Sequence, residues 1–129
     1  MSEELHLIFI YGTLRRGGRA HHLMQGAEFV AEGSISGRLV HVDEYPGLIL
    51  CDDRRVTGEL YAVGDEKRSE LDKYEGCFDS PAHYLREEIE VLLEAGELQV
   101  AEVYVFQLLE PHHEEITSGD WIEWKGRVC

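Results

Sequence analysis

Short strand-like segments joined by short connections constrain the fold of this chain more than any other feature. Segments rich in apolar or β-branched residues end at glycine or at polar turn residues, and they span 5–11, 27–42, 47–51, 55–63, 84–93 and 98–107. Most connections between them are shorter than the dozen or so residues that a crossover between parallel strands requires. The pattern therefore predicts an α+β fold in which a mainly antiparallel sheet curls or closes into a β-barrel, with a helix packed against it.

Helix signals are concentrated in two places. Residues 65–75 combine acids with good helix formers, and Asp65 is placed to cap the first turn. Gly76 stands where a left-handed residue commonly ends a helix. Residues 19–25 predict a short helix that stops at Gly26.

Turn residues and the C-terminal tryptophans complete the prediction of the fold. The stretch DEYPG at 43–47 predicts a turn, and EAGE at 94–97 predicts the turn of a hairpin. Glycines within 27–42 indicate bends or bulges in that segment. We expect Trp121 and Trp124 to pack onto the core rather than to form a binding surface.

The charge balance argues against two classes of partner. The 129 residues include 26 Asp and Glu against 12 Lys and Arg, which gives a formal net charge of −14. Binding to phosphate backbones or to an anionic membrane surface requires clustered Lys and Arg, so we expect neither nucleic acid nor membrane as a partner. An anionic small molecule remains compatible with the charge, because a local site can oppose the overall field. The length fits a single domain over 1–129.

The cysteines indicate a reducing environment. Cys51, Cys77 and Cys129 are odd in number, widely spaced and without a C-x-x-C motif. The first residues, MSEELHL, carry acids where an export signal would carry positive charge, and no apolar run approaches the roughly 18 residues of a membrane span. We therefore expect a cytoplasmic protein.

The stretch LIFIYGTLRRGGRAHH raises a question about function. Its apolar run stops at Gly12, and two arginines and two glycines follow closely. The loop is either an exposed turn or a cradle of backbone N–H groups for something anionic. Neither G-x-x-x-x-G-K-[ST] nor G-x-G-x-x-G is present, so the usual signatures of nucleotide binding are missing.

Glu75 occupies an unusual place in the predicted helix. Leu71, Tyr74 and Glu75 are spaced i, i+3, i+4 and so share one face. Because Leu71 and Tyr74 should face the core, Glu75 is expected on or beside the buried side, near the negative end of the helix dipole. Burial and the dipole both raise the pKa of a carboxyl group, which makes Glu75 a candidate general base. The alternative is that Glu75 reaches water at the rim or pairs with an arginine such as Arg86.

The histidines occur as two adjacent pairs, His21–His22 and His112–His113. Neighbouring histidines point in different directions on a helix or strand, so a metal site would need both pairs together with a carboxylate. We expect these histidines at the surface and predict no metal ion and no cofactor. A metal-dependent hydrolase built on the two pairs is the alternative.

Several motifs together resemble a known family. FIYGTLRRGGRAHH follows the first strand, VTGELYAV lies in the middle of the chain, and LDKYEG precedes YLREEIEV. In this order and at these separations they resemble the gamma-glutamylcyclotransferase-like superfamily, nearest to the small gamma-glutamylamine cyclotransferase type and its bacterial relatives. The resemblance runs from about residue 7 to residue 106. It implies a small mixed, mainly antiparallel β-barrel with packed helices.

The resemblance also implies a reaction and its site. Such enzymes release 5-oxoproline from a γ-glutamyl amine or γ-glutamyl amino acid by intramolecular attack of the α-amine on the γ-carbonyl. Tyr11, Gly12, Thr13 and Leu14 would hold the γ-glutamyl group through backbone N–H groups, and Glu75 would be the general acid/base. The partner implied is a small-molecule γ-glutamyl substrate, and the reaction needs neither metal nor cofactor.

Tyr84 and Ala20 bear on the substrate. Tyr84 follows the predicted helix by a short loop, and we expect its hydroxyl group to contact the substrate. The amine-specific branch of the family is expected to have an asparagine where this chain has Ala20, which leaves the released amine or amino acid open. A non-catalytic binding module for a small carboxylated metabolite is the alternative to an enzyme, and the oligomeric state is also open.

Overall fold

The computed structural model describes residues 4–42 and 45–128 of the chain. Its strands are β1 (His6–Ile10), β2 (Glu28–Ser36), β3 (Arg38–Val42), β4 (Tyr45–Ile49), β5 (Arg55–Val63), β6 (Tyr84–Leu93), β7 (Leu98–Phe106) and β8 (Glu114–Ile116). Its helices are α1 (Asp65–Tyr74), α2 (Trp121–Val128) and a short 3-10 helix at His21–Met24. Within this described part of the chain, no helix has the length and apolar character needed to cross a membrane.

Five strands close into a barrel in the order β1-β5-β2-β6-β7. Neighbouring strands are antiparallel except for β1 and β7, whose parallel pairing closes the barrel. At this closure Phe9 of β1 lies opposite Leu60 of β5 and Val103 of β7. The strands β4, β3 and β8 form a second sheet in that order. The predicted α+β fold with a mixed, mainly antiparallel barrel is therefore confirmed.

Apolar side chains on both faces of the barrel wall form two core layers. The interior layer includes Phe9, Leu60 and Val103, which are completely buried. The outer layer, which is covered by α1 and the 3-10 helix, includes Ile8 and Leu71. Successive residues of β1 alternate between the layers. Both faces of this strand are therefore buried, which explains its nearly unbroken apolar sequence.

The predicted strand over 27–42 is in fact two strands that belong to different sheets. Strand β2 ends at Ser36 and β3 begins at Arg38. Between them, a Cβ added to Gly37 would lie 2.7 Å from Leu48 Cδ1 of the second sheet. The close approach of the two sheets therefore requires glycine at the point where the chain passes from one to the other.

The predicted turn at 43–47 was wrong in its second half. Residues 45–47 belong to β4, whereas residues 43 and 44 lie outside the described part of the chain. Strand β4 is at one edge of the second sheet, so the missing N–H of Pro46 is tolerated there. A proline between Tyr and Gly looks like a turn in the sequence, and only the position of the strand within the sheet shows otherwise.

Helix α1 begins and ends close to the predicted positions. Its N-cap is Gly64, and Asp65 is the first helical residue, so the predicted cap was wrong. At the other end Gly76 has a φ of +74°, which confirms the predicted left-handed residue. The N–H groups of Gly76 and Cys77 donate to carbonyl groups of the last turn in the Schellman pattern. This turn fixes Glu75 as the residue at the end of the helix.

The C-terminal segment forms a helix that the sequence interpretation did not predict, but the predicted packing of its tryptophans is confirmed. Trp121 is buried in the interior layer, and Trp124 stacks on it with 5.4 Å between the ring centroids. Just before the helix, Gly119 has a φ of +67°. Its carbonyl oxygen accepts a hydrogen bond of 2.8 Å from the N–H of Thr57 in β5, so the segment is docked on the barrel wall.

We expect Gly119→Ala to destabilise the fold strongly. An alanine Cβ at this position would lie 2.0 Å from the carbonyl oxygen of Arg55, so the backbone of β5 would have to move. The left-handed φ adds its own cost. Urea denaturation should show that the free energy of unfolding falls by about 3 kcal/mol.

Gly96→Ala is the matched control for this substitution. Gly96 has a φ of +96°, but an added Cβ would have nothing within 4 Å. The control isolates the backbone cost, which should be about 1 kcal/mol. Equal losses in the two variants would contradict the contact with β5 as the cause.

Candidate active site

One pocket brings together every site residue predicted from the sequence. It lies between the loop that follows β1, strand β4 and the end of α1, with a volume of about 330 Å³ that includes space open to solvent. Its lining residues are Phe9, Ile10, Tyr11, Gly12, Thr13, Leu14, Tyr45, Pro46, Glu75, Tyr84 and Tyr104. Glu75 and Tyr84 therefore border the same space as the loop residues 11–14.

Gly12 allows the loop to lie directly against β4. A Cβ added to Gly12 would be 2.6 Å from Cγ of Pro46, so a larger residue would push the two walls of the pocket apart. The small size of this residue is thus required by the protein's own packing.

The protein itself satisfies the carbonyl groups of this loop more fully than the N–H groups. Its carbonyl groups are used internally, because Gly12 accepts from the N–H of Arg15 at 3.0 Å and Thr13 accepts from that of Ala20 at 2.9 Å. The residues that the structure describes provide no hydrogen-bond acceptor for the N–H groups of Gly12, Thr13 and Leu14. Unpaired donors in a pocket wall suit a carbonyl oxygen, a carboxylate or an oxyanion.

The two arginines of the loop contact carboxylates of the protein itself. Arg15 donates from Nε to Glu59 at 3.3 Å and from Nη1 to Asp120 at 2.9 Å. The backbone N–H of Arg16 also donates to Glu59, at 3.0 Å. Because Glu59 is only 3% exposed, these contacts compensate a buried charge and tie the loop to β5. The loop is therefore an anchored part of the fold, which rules out a plain exposed turn.

Tyr74 connects the loop to α1. Its hydroxyl group is 3.0 Å from Oγ1 of Thr13. The residue is 37% exposed, so the prediction that Tyr74 faces the core was wrong. The residues that α1 buries are Leu71, as predicted, and Asp72.

Glu75 follows the last residue of α1 and keeps part of its surface open. Loss of hydration, followed by the negative charge of Asp72, raises the pKa of its carboxyl group from 4.5 to about 8. Among the described residues, no arginine, lysine or histidine forms an ion pair with Glu75. The alternative pairing with Arg86 was wrong, since Arg86 Nε donates to Asp72 at 2.6 Å. A carboxyl group with this pKa can both accept and donate a proton near neutral pH.

Asp72 is a residue of the site that the sequence interpretation missed. It is 6% exposed and accepts hydrogen bonds from Arg86 at 2.6 Å and from the Tyr104 hydroxyl at 2.7 Å. Arg86 also donates to Glu102 at 2.6 Å. These contacts hold α1 against β6 and β7 and place a carboxylate about one turn before Glu75. Because Asp72 is charged, the apolar pattern of the sequence did not indicate that it is buried. Its partners Arg86 and Tyr104 belong to β6 and β7, and only the folded barrel brings them close to it.

The hydroxyl groups of two pocket tyrosines have partners within the protein. Tyr11 donates to the carbonyl of Tyr104 at 2.7 Å, and Tyr84 donates to the carbonyl of Pro46 at 2.7 Å. Burial raises the pKa of both phenols, so both stay protonated. The predicted contact of the Tyr84 hydroxyl with substrate would therefore use its oxygen as an acceptor.

A wider pocket adjoins the first one. The two share Tyr45, Glu75 and Tyr84. The other residues that line the wider pocket are Val42, Lys73, Tyr74, Gly76, Asp79, His83 and Phe106. Glu75 consequently borders both spaces.

The histidine pairs give no indication of a metal centre. In the ranges that the structure describes, no group of three or more His, Cys, Asp or Glu side chains is arranged to hold a metal ion. Nδ1 of His21 is 2.8 Å from the carbonyl oxygen of Leu14, and the ring of His113 packs edge-on against Phe106. These histidines thus have local structural contacts.

Five further residues that line the first pocket were not predicted as site residues, namely Phe9, Ile10, Tyr45, Pro46 and Tyr104. The alternation of β7 shows that Tyr104 lies on one face of the strand. Which face of the strand borders the pocket depends on how the barrel closes, so the sequence could not identify Tyr104 as a pocket residue. Tyr45 and Pro46 gave no signal because the sequence pattern predicted a turn there.

The raised pKa of Glu75 predicts a pH-dependent stability. Between pH 4.5 and about 8, the folded protein holds a proton on Glu75 that the unfolded chain releases, so this stabilising contribution falls as pH rises. Glu75→Gln removes the effect. Calorimetry should show that the melting temperature of the variant, relative to the natural protein, increases by about 5 °C between roughly pH 5 and pH 8.5. A difference that stays constant over this range would contradict the raised pKa.

Comparisons with known proteins point to one family. A family model described as "Gamma-glutamyl cyclotransferase, AIG2-like" matches residues 8–123. A putative gamma-glutamylcyclotransferase of Vibrio cholerae is 32% identical over 120 residues, which cover 92% of this chain and 96% of the relative. The gamma-L-glutamyl-butirosin B gamma-glutamyl cyclotransferase of Niallia circulans is 35% identical over 92% of this chain and 76% of its own length.

The fold of a solved structure agrees with these sequence relationships. The crystal structure of an aig2-like protein from Mus musculus superposes with a TM-score of 0.74 and 30% identity. The superposition covers 84% of this chain and 81% of the mouse protein. The chain therefore belongs to the gamma-glutamyl cyclotransferase, AIG2-like family.

Proposed function

We propose that the protein releases 5-oxoproline from a γ-glutamyl amine or a γ-glutamyl amino acid. The α-amine of the substrate attacks its own γ-carbonyl carbon, and the bond between that carbon and the leaving nitrogen breaks. In this proposal Glu75 is the general acid/base, the loop residues 11–14 hold the γ-glutamyl group, and Tyr84 contacts the substrate. The products are the cyclic amide and a free amine or amino acid.

The observation that carries the proposal is the combination of groups in one pocket. A carboxyl group with a pKa of about 8 borders the same space as Gly12, Thr13 and Leu14, whose N–H groups have no acceptor in the described part of the chain. A base without donors could not stabilise the charge that develops on the substrate, and donors without a base would only bind. Family membership supports the same chemistry.

Glu75 is suited first to accept a proton from the α-ammonium group of the substrate and then to donate a proton to the leaving nitrogen. The α-ammonium group of a peptide-like substrate has a pKa of about 8, and the carboxyl group of Glu75 has a pKa of about 8 as well. Proton transfer between the two groups is therefore nearly balanced, and the positive charge of the bound ammonium favours the carboxylate further. The carboxylate takes one proton from the α-ammonium group, the amine attacks, and Glu75 donates a proton to the leaving nitrogen. The attacking nitrogen loses its second proton as the cyclic amide forms, and the released amine takes up that proton. No water is consumed in this sequence.

The backbone donors of the loop have a role in the tetrahedral intermediate. Attack on the γ-carbonyl places negative charge on its oxygen, and N–H groups at Gly12, Thr13 and Leu14 can stabilise that charge. The loss of one such donor typically costs about 3 kcal/mol of transition-state stabilisation. A narrow pocket also favours the bent substrate in which the amine approaches the γ-carbon, and this positioning is a large part of the advantage of an intramolecular reaction.

The test is the formation of 5-oxoproline from a panel of γ-glutamyl amino acids and γ-glutamyl amines. We expect Glu75→Gln to lower kcat/KM by at least about 100-fold, which is the usual contribution of a general acid/base. Glu70→Gln is the matched control, because Glu70 lies on the same helix and pairs with Lys67 at the surface. The control should stay within about twofold of the natural protein, as surface substitutions usually do.

Two outcomes would overturn the proposal. Turnover by Glu75→Gln at the natural rate would remove Glu75 from the mechanism. Thermal stabilisation of the natural protein by several panel members, with no 5-oxoproline formed from any of them, would instead indicate a binding module.

A second prediction concerns the influence of Asp72 on the base. Its negative charge raises the pKa of Glu75, so Asp72→Asn should lower that pKa and move the acidic limb of the profile of kcat/KM against pH to lower pH. Glu70→Gln again serves as the charge-matched control and should leave the limb in place. An unchanged limb in Asp72→Asn, in a variant that folds and turns over substrate, would contradict this coupling.

A further inference from the structure

Glu75 borders two pockets, and the proposed substrate has two parts. The base must reach the α-amine of the γ-glutamyl group and also the leaving nitrogen. The narrower pocket is lined by the loop residues 11–14, and the wider pocket begins at the shared residues Tyr45, Glu75 and Tyr84. With the γ-glutamyl group among the backbone donors, the leaving group extends past Glu75 into the wider pocket.

We propose that the wider pocket selects an amino acid as the leaving group and that Lys73 pairs with its α-carboxylate. This inference rests on the proposed cyclotransferase function and narrows its substrate class.

The floor of the wider pocket is apolar and aromatic. Phe106 is 6% exposed, and its ring centroid is 5.3 Å from that of Tyr84. Val42 lines the same space. An apolar side chain on the leaving group can pack against this surface and lose its contact with water, which favours binding in proportion to the area buried.

The charged groups of the wider pocket leave one cation unpaired. Asp79 lies 3.0 Å from Nδ1 of His83, a contact that is an ion pair only when the histidine is protonated, and the raised pKa of Glu75 holds its carboxyl group largely neutral at neutral pH. Lys73 has no ion-pair partner among the residues that the structure describes.

This charge distribution suits a carboxylate next to the leaving nitrogen. In a γ-glutamyl amino acid the α-carboxylate is one carbon away from that nitrogen, so it lies near the junction at Glu75 when the substrate is bound. The net charge of −14 repels an anion from the protein as a whole, so a local cation is needed to hold it. A cationic leaving group would instead meet Lys73 as a like charge.

Lys73 also has a structural explanation that the experiment must separate from binding. It lies in the last turn of α1, where a positive charge stabilises the end of a helix. A role confined to the helix would affect all substrates equally, whereas a role in binding depends on the charge of the leaving group.

The experiment compares γ-glutamyl-L-phenylalanine with γ-glutamyl-L-phenylalanine amide, which differ only in the carboxylate of the leaving group. For the natural protein we expect kcat/KM to be about fivefold higher for the acid, the size typical of an exposed ion pair. The preference should shrink at high ionic strength. Lys73→Met should bring the ratio to about one by raising KM for the acid, in line with the loss of such a pair.

Lys67→Met is the matched control for Lys73→Met. It removes the same charge from the same helix, but Lys67 pairs with Glu70 and does not line either of the two pockets. This control should keep the preference for the acid.

The outcomes separate this inference from the function on which it rests. If no member of the γ-glutamyl panel yields 5-oxoproline, the proposed function itself is overturned. If 5-oxoproline forms but the acid is not preferred, or Lys73→Met keeps the preference, only the leaving-group proposal is overturned. An equal loss for acid and amide in Lys73→Met would likewise overturn it, because Lys73 would then serve the γ-glutamyl group or the helix.

Discussion

The loss of hydration at the carboxyl group of Glu75 is the physical constraint on which the rest of the site depends. The Schellman turn at Gly76 fixes the residue at the end of α1, where it borders both pockets. Asp72 adds a negative charge nearby and is itself bound by Arg86. No described residue forms an ion pair with the carboxyl group of Glu75, and its pKa rises to about 8. Removing the carboxylate of Asp72 would remove a negative charge that acts on Glu75, and it would also deprive Arg86 of a hydrogen-bond acceptor.

The protein uses much of its limited positive charge to satisfy its own acids. The sequence has 12 Lys and Arg against 26 Asp and Glu. Arg15 is engaged by the buried Glu59, and Arg86 by the buried Asp72. No Lys or Arg is among the described residues that line the narrow pocket, and we propose that the backbone N–H groups of residues 12–14 serve an anion there instead. Such donors stabilise a charge that develops on a carbonyl oxygen without holding the ground state as strongly as a full positive charge would, and this suits the proposed cyclisation.

The predictions that succeeded rest on signals carried by neighbouring residues. Strands β5 and β6 have the predicted limits, and the predicted left-handed Gly76 follows the end of α1, because alternation and helix-ending glycines are local properties. The failures depend on neighbours in space. Pro46 is acceptable in a strand only because β4 is at a sheet edge. Tyr74 was expected in the core, yet α1 buries Asp72 instead, since Arg86 and Tyr104 lie where they can bind its carboxylate.

By itself the sequence determined the class of fold, the glycine-containing loop after the first strand and the choice of Glu75 as candidate general acid/base. These follow from apolar periodicity and residue spacing, which are local properties of the sequence. Only the tertiary structure decided that Glu75 and Tyr84 share a pocket with the loop, and that a second pocket begins at the same carboxyl group. These arrangements join residues far apart in the sequence, and they follow from how the barrel closes. The pKa of Glu75 is set by the hydration and charges around it, which the order of residues does not specify.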